Sequence, residues 1–129
     1  MSRAILLRIG LSVVLLAACG SDPPVGPVAG ELTLNLVSPG ATDGAILLRV
    51  TGEIESVTGL GGYVIEAAEV PGGMWRIVVA GTIVPGPIAR IRVPDINDAA
   101  PYLAVVEQVA ARGTFALLST AGYSVRVTK

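Results

Sequence analysis

Histidine is absent from the 129 residues of this chain. Imidazole is the commonest general base and a frequent metal ligand, so its absence excludes Ser-His-Asp and Cys-His catalytic systems within the chain, and zinc sites built from Cys and His. A hydrolase would have to use carboxylates alone, and Glu53 with Glu55 and Glu66 with Glu69 are the candidate pairs. We expect these four to be solvated strand residues, and therefore a protein that is not an enzyme.

Basic residues and cysteines are also scarce. Nine Lys and Arg stand against ten Asp and Glu, a formal net charge of -1. Phosphate binding needs clustered Lys and Arg, so we expect no nucleic acid partner. The single cysteine, Cys19, cannot form an internal disulfide. Apolar residues make up 52% of the chain and aromatic residues only 4%, which is typical of a globular domain with an aliphatic core.

The start of the chain has the layout of an export signal. Arg3 and Arg8 supply positive charge, residues 9–16 form an apolar run, and two alanines precede Cys19. The run is shorter than the roughly 20 residues that span a bilayer. We predict a signal peptide at residues 1–18; the alternative is a buried helix with Cys19 as a small apolar core residue.

The junction Leu16-Ala17-Ala18-Cys19 resembles the lipobox of bacterial lipoproteins. The resemblance implies that Cys19 becomes the mature N-terminus and carries a diacylglyceryl group and an acyl chain such as palmitate. Several acyl chains anchor a protein stably in a bilayer, so Cys19 would be a lipid anchor rather than a nucleophile or metal ligand. The next residue is Gly20 and not the Asp that retains such proteins in the inner membrane, which implies the outer membrane of the cell envelope.

Residues 19–30 are predicted to be a tether, because "SDPPVGPVAG" is rich in proline and glycine and has no apolar periodicity. Over residues 31–129 apolar residues recur at every second position. In "ELTLNLVS", for example, Leu32, Leu34 and Leu36 share one face. The runs "AILLRVTG", "YVIEAAEV", "MWRIVVAG", "PIARIRVP" and "YSVRVTK" behave similarly, and turn signals separate them, including one at residues 58–62. The pattern predicts an all-β fold, a single antiparallel β-sandwich of the cohesin-like or Ig-like kind.

Residues 101–112 are ambiguous between strand and helix. Asp98, Pro101 and Gly113 have the spacing of helix punctuation. The β-branched Val105, Val106 and Val109 favour a strand, and "ARG" followed by "TFALLST" fits a three-residue hairpin loop with Gly113 in the left-handed conformation. The hairpin is the favoured interpretation.

The order "GAILLRVTGEIESVTG", "MWRIVVAG", "GPIARIRV" and a final hairpin resembles the sandwiches of cohesins and carbohydrate-binding modules. The resemblance rests on the rhythm of apolar residues. It implies a non-catalytic module that binds an envelope protein or a polysaccharide.

One polar stretch, "VPDINDAAPY", is similar to the D-x-N-D-N-A-P signature of cadherin repeats, with Ala99 in place of the second asparagine. The resemblance maps calcium ligands to Asp95, Asn97 and Asp98, and oxygen ligands suit that cation. The alternative function is therefore a calcium-dependent adhesion module. The competing interpretation is a turn in which Asp and Asn side chains bond the local backbone.

Aromatic residues could form a platform for sugar rings, and Trp75 is the candidate ligand-binding residue. Trp75 is in phase with Ile77 and Val79, and Tyr123 with Val125, so core packing is the favoured interpretation for both.

Overall fold

The computed structural model of this protein describes residues 26–40 and 42–129. The predicted signal peptide, Cys19 and most of the predicted tether lie outside the described residues. Within the described ranges, no helix is long and apolar enough to cross a membrane.

The described chain forms nine strands: β1 (Gly30–Val37), β2 (Asp43–Thr51), β3 (Ser56–Gly59), β4 (Val64–Val70), β5 (Met74–Ile83), β6 (Gly86–Val93), β7 (Leu103–Ala111), β8 (Leu117–Leu118) and β9 (Ser124–Thr128). They make a four-stranded sheet in the order β3-β6-β1-β9 and a five-stranded sheet in the order β4-β5-β2-β7-β8. Every strand pairing is antiparallel. The prediction of an all-β antiparallel sandwich is confirmed.

Alternating aliphatic side chains build the core between the sheets. Leu32, Leu34 and Leu36 of β1 face Ile46 and others of the five-stranded sheet, and these side chains are almost completely buried. Because successive residues of a strand point to opposite faces, the period of two predicted from the sequence is the period that fills this core.

The ambiguous segment is a strand, β7, which forms a hairpin with β8. The left-handed conformation of Gly113 is confirmed, with φ of 86°. The predicted three-residue loop is wrong, because residues 112–116 separate the two strands. The longer loop is closed by backbone hydrogen bonds from Phe115 N to Ala111 O (2.9 Å) and from Ala111 N to Ala116 O (2.8 Å).

The turn predicted at residues 58–62 begins later than expected. Residues Ser56–Gly59 pair with β6 as the edge strand β3, and only then does the chain turn, with Gly61 and Gly62 at positive φ. The strand is short and rich in turn-forming residues, so its own sequence does not reveal it.

The two ends of the sandwich are distinct. At one end, Val28 N donates to Asp95 Oδ1 (3.3 Å) and Ile96 N donates to Val28 O (2.8 Å), so the chain enters β1 beside the 95–98 loop. At the other end, the Tyr123 hydroxyl donates to Asp43 Oδ1 at 2.7 Å. The eight residues of β1 run between the two ends, which are therefore roughly 25 Å apart.

Candidate functional site

The outer faces of the two sheets differ in chemistry. The four-stranded sheet turns outward a polar surface that includes Glu31, Thr33, Asn35, Arg90, Arg92 and Arg126. Two exposed ion pairs lie on or beside it, Arg90 with Glu31 (3.9 Å) and Arg92 with Glu55 (3.4 Å). This is the usual composition of a solvated sheet face.

The outer face of the five-stranded sheet is instead largely aliphatic; we call it the apolar face. Five of the nine large apolar side chains that are exposed among the described residues lie on it: Val64, Val78, Leu103, Val105 and Leu117. Concentration on one face, rather than exposure as such, marks an interaction surface, since scattered apolar side chains are ordinary.

One row of the apolar face crosses all five strands. The register pairs Val64 with Ala80, Ala80 with Ala45, Ala45 with Ala110, and Ala110 with Leu117. At the two ends of the row, Val64 is 64% exposed and Leu117 is 71% exposed, and the three alanines between them are half-buried. The row therefore has small side chains in its middle and large ones at its two ends.

The centre of the apolar face carries a compact charge cluster. Arg49 and Arg76 are directly opposite each other on β2 and β5. The carboxylate of Glu107 on β7 pairs with both, with Oε1 3.6 Å from Arg49 Nε and Oε2 3.9 Å from Arg76 Nη2. The register of β7 against β2 skips Glu107, and this β-bulge turns its side chain outward to the two guanidinium groups.

A pocket of about 310 Å³ lies at the end of the apolar face farthest from Val28. The residues that line it are Gly44, Ala80, Gly81, Thr82, Arg112, Gly113 and Phe115; we call it the Phe115 pocket. Phe115 is the single phenylalanine of the chain, and its side chain is 68% exposed. Its φ of 55° is a strained value for a bulky residue, and such strain is concentrated at functional sites.

Gly44 allows the β7–β8 loop to lie close to the start of β2. A Cβ on Gly44 would lie 2.7 Å from the Cα of Arg112, closer than real contacts allow. The approach is fixed by the hydrogen bond from Arg112 N to Thr42 O, at 2.8 Å. A side chain at position 44 would therefore displace the backbone of the β7–β8 loop.

The predicted calcium ligands lie together in one loop, where the side chains of Asp95 and Asn97 bond to other groups of the protein. Asp95 Oδ1 accepts from the backbone N–H groups of Asn97 (3.0 Å) and Val28, as in an Asx turn. Asn97 Oδ1 accepts from the Lys129 ammonium at 2.8 Å. No group of three or more acidic, His or Cys side chains that could hold a metal ion occurs in the described ranges. The calcium site stays a prediction resting on Asp95, Asn97 and Asp98 alone.

Tyr102, after this loop, donates its hydroxyl to Glu53 O at 2.8 Å. Burial, and secondarily the nearby carboxylates of Glu53 and Asp98, raise the pKa of Tyr102 above its usual 10.0. The side chain packs over Gly52, whose φ is 114°. Tyr102 therefore covers the core at the end of the sandwich that holds Val28 and the 95–98 loop.

The other predicted site residues are spread over the molecule. Trp75 is partly buried and packs against the core, so a sugar platform there stays a prediction. Glu66 and Glu69 are exposed on the edge strand β4, at positions of opposite phase. Glu55 pairs with Arg92.

Comparison with protein-family models, curated proteins and solved structures finds no match for this chain. The resemblances to lipoproteins and to cohesin-like sandwiches therefore stay predictions.

The apolar face and the Phe115 pocket were not predicted from the sequence. A signal was present: the runs "AILL" in β2, "IVVA" in β5 and "LAVV" in β7 are apolar at consecutive positions. A strand covered on one side alternates, and a continuous apolar run indicates cover on both sides. These strands are covered by the core on one side only.

Proposed function

We propose that this protein is a lipid-anchored, non-catalytic module of the bacterial envelope, attached to the outer membrane through acylated Cys19, and that its apolar face is the binding surface. The observation that carries the proposal is the contrast between the polar outer face of the four-stranded sheet and the aliphatic outer face of the five-stranded sheet. Large exposed apolar patches mark protein or membrane interaction sites.

The chemistry of the apolar face favours a protein partner over a polysaccharide. Sugar-binding surfaces present aromatic rings and several polar groups, whereas this face presents valine, leucine and alanine around one charge cluster. Trp75, the candidate sugar platform, packs against the core instead of standing free of it.

The position of the Phe115 pocket supports a partner located away from the anchor. The chain from Cys19 enters the domain at Val28, beside Asp95, and the pocket is at the opposite end of the sandwich. A domain standing on its tether would therefore present Phe115 on the side facing away from the bilayer.

Anchoring is tested with the full chain expressed in a Gram-negative bacterium. We expect the wild-type protein to partition into detergent and to gain the mass of the lipid groups, and Cys19→Ala to remain an unprocessed, unlipidated precursor. Gly20→Asp is the matched variant for sorting, and we expect it to move the lipidated protein to the inner membrane. Partitioning of Cys19→Ala identical to wild type, with the leader removed, contradicts the anchor.

Occupancy of the apolar face is tested in the same cells with a photoreactive amino acid at position 78, on the apolar face, and at position 90, on the polar face. We expect macromolecular adducts from position 78 and few from position 90. Absence of adducts from position 78 contradicts the binding function.

A further inference from the structure

Phe115 stands beside a pocket that its own ring helps to line. We propose that the apolar face docks on the same face of a second copy of this chain, with Phe115 of each copy entering the Phe115 pocket of the other. The inference rests on the proposed function, in that it assigns an occupant to the proposed binding surface.

The apolar face carries both a projection and a recess at the Phe115 pocket. A two-fold dimer uses the same patch on both subunits, so that patch must contain both a projection and the recess that receives it. Phe115 is the projection, because this residue is 68% exposed in the β7–β8 loop. The recess is adjacent, and three of the residues that line it, Gly44, Ala80 and Gly81, have no side chain or only a methyl group.

The Phe115 pocket and the apolar face have sizes that suit a second copy. The pocket of about 310 Å³ exceeds the roughly 150 Å³ cavity that holds a benzene ring. From the strand spacing and rise, the five strands cover roughly 600 Å². A specific interface buries roughly 600–1,000 Å² on each partner. The face therefore reaches the lower end of the size range of specific interfaces.

The charges on the apolar face are balanced. The strand positions that point outward on this sheet carry two arginines, Arg49 and Arg76, and two glutamates, Glu66 and Glu107. A balanced face can meet its own copy without net repulsion. A surface that binds anionic lipid carries an excess of Lys and Arg, which this balance does not supply.

The backbone of Phe115 supports the same conclusion. A phenylalanine at φ of 55° is held there by the loop hydrogen bond from Phe115 N to Ala111 O. Strain of this kind persists only where the surrounding structure enforces it, and strained residues cluster at binding and catalytic sites.

The test uses the full chain in the membrane of the expressing cell. Two versions with different epitope tags are expressed together, with Phe115 replaced by the photoreactive analogue p-benzoylphenylalanine. We expect irradiation to produce an adduct of twice the monomer mass that carries both tags.

Matched variants locate the contact. Val78→Glu places a carboxylate on the apolar face, and Val37→Glu places one on the polar outer face; these two valines are 38% and 40% exposed. We expect Val78→Glu to reduce the double-tagged adduct by roughly tenfold or more, since an interface would bury an unpaired charge. Val37→Glu should leave the yield unchanged. Equal thermal melting of the two variants shows that both are folded.

The outcomes separate the two proposals. Adducts of position 115 with other proteins only, or with phospholipid only, overturn the second copy while leaving the binding face in place. If Val78→Glu and Val37→Glu are both folded and reduce the yield of the double-tagged adduct equally, the inference is also overturned. Absence of adducts from positions 115 and 78 alike overturns both the inference and the proposed binding surface.

Discussion

Tyr123 and Asp43 connect the two sheets of the sandwich: the Tyr123 hydroxyl, just before β9, donates a 2.7 Å hydrogen bond to Oδ1 of the completely buried Asp43 at the start of β2. The other carboxylate oxygen, Oδ2, is buried without a hydrogen-bond partner among the described residues. Asp43 thus depends on one phenol for its hydrogen bonding.

Removing that phenol should destabilise the fold. We expect Tyr123→Phe to lower the free energy of unfolding by about 1–3 kcal/mol, since a buried acceptor loses its donor. Tyr63→Phe is the matched control, because the Tyr63 hydroxyl accepts from an exposed backbone group, Val84 N, at 3.2 Å. Its cost should be below about 0.5 kcal/mol. Urea unfolding measures both, and equal costs for the two variants would contradict the role given to Asp43.

Stability should also depend on pH in the alkaline range. Burial, then the hydrogen bond to Asp43 and its charge, raise the pKa of Tyr123 from 10.0 to about 12. Between these values the unfolded chain releases the phenol proton while the folded chain keeps it, so stability is complete below pH 10 and falls as the pH rises toward 12. Denaturant unfolding at several pH values across this range should show that the free energy of unfolding falls less steeply with pH in Tyr123→Phe than in the wild-type protein. The fall that is left in the variant comes from Tyr102. An identical fall in both proteins would refute the assignment.

Gly52 is a position where a side chain cannot be accommodated. Its φ is 114°, and an added Cβ would collide with the ring of Tyr102. We expect Gly52→Ala to cost about 2 kcal/mol or more, because strain and overpacking combine. Gly40→Ala, where nothing lies within 4 Å of the added atom, is the control and should be close to neutral. Thermal unfolding distinguishes them, and a neutral Gly52→Ala would show that Tyr102 can move aside.

The positive φ of Phe115 can be tested by comparing the stabilities of its alanine and glycine variants. Alanine and glycine both remove the ring, but only glycine adopts φ of 55° without steric cost. We expect Phe115→Gly to be more stable than Phe115→Ala by about 1 kcal/mol, the reverse of the order in ordinary strands. Urea unfolding of both variants measures the difference, and a more stable alanine variant would mean that the loop relaxes.

The charge cluster on the apolar face should respond to salt. Glu107→Gln leaves Arg49 and Arg76 directly opposite each other, and like charges in register are unfavourable. We expect a loss of about 0.5–1 kcal/mol at low salt that shrinks at high salt. The control is Glu66→Gln, on the edge strand β4 and exposed. A salt-independent loss would point to packing of the Glu107 side chain instead.

The core could be predicted from the sequence because it depends on local alternation, as in Leu32, Leu34 and Leu36. The strand β3 could not, because Ser56–Gly59 becomes a strand only by pairing with β6. The same reason explains the missed surface. Val64 and Leu117 join one row only through the register of five strands, and no local window contains that register. Phe115 was missed because its backbone conformation is set by the loop closure.

The attachment of Val28 to the 95–98 loop has a mechanical consequence. This segment leads into β1, which is paired on both sides, with β6 and with β9. Traction applied through the N-terminal segment would load both hydrogen-bond ladders in shear, so that many bonds must break together rather than open one after another. The domain is therefore built to resist being pulled from the side on which the proposed anchor lies.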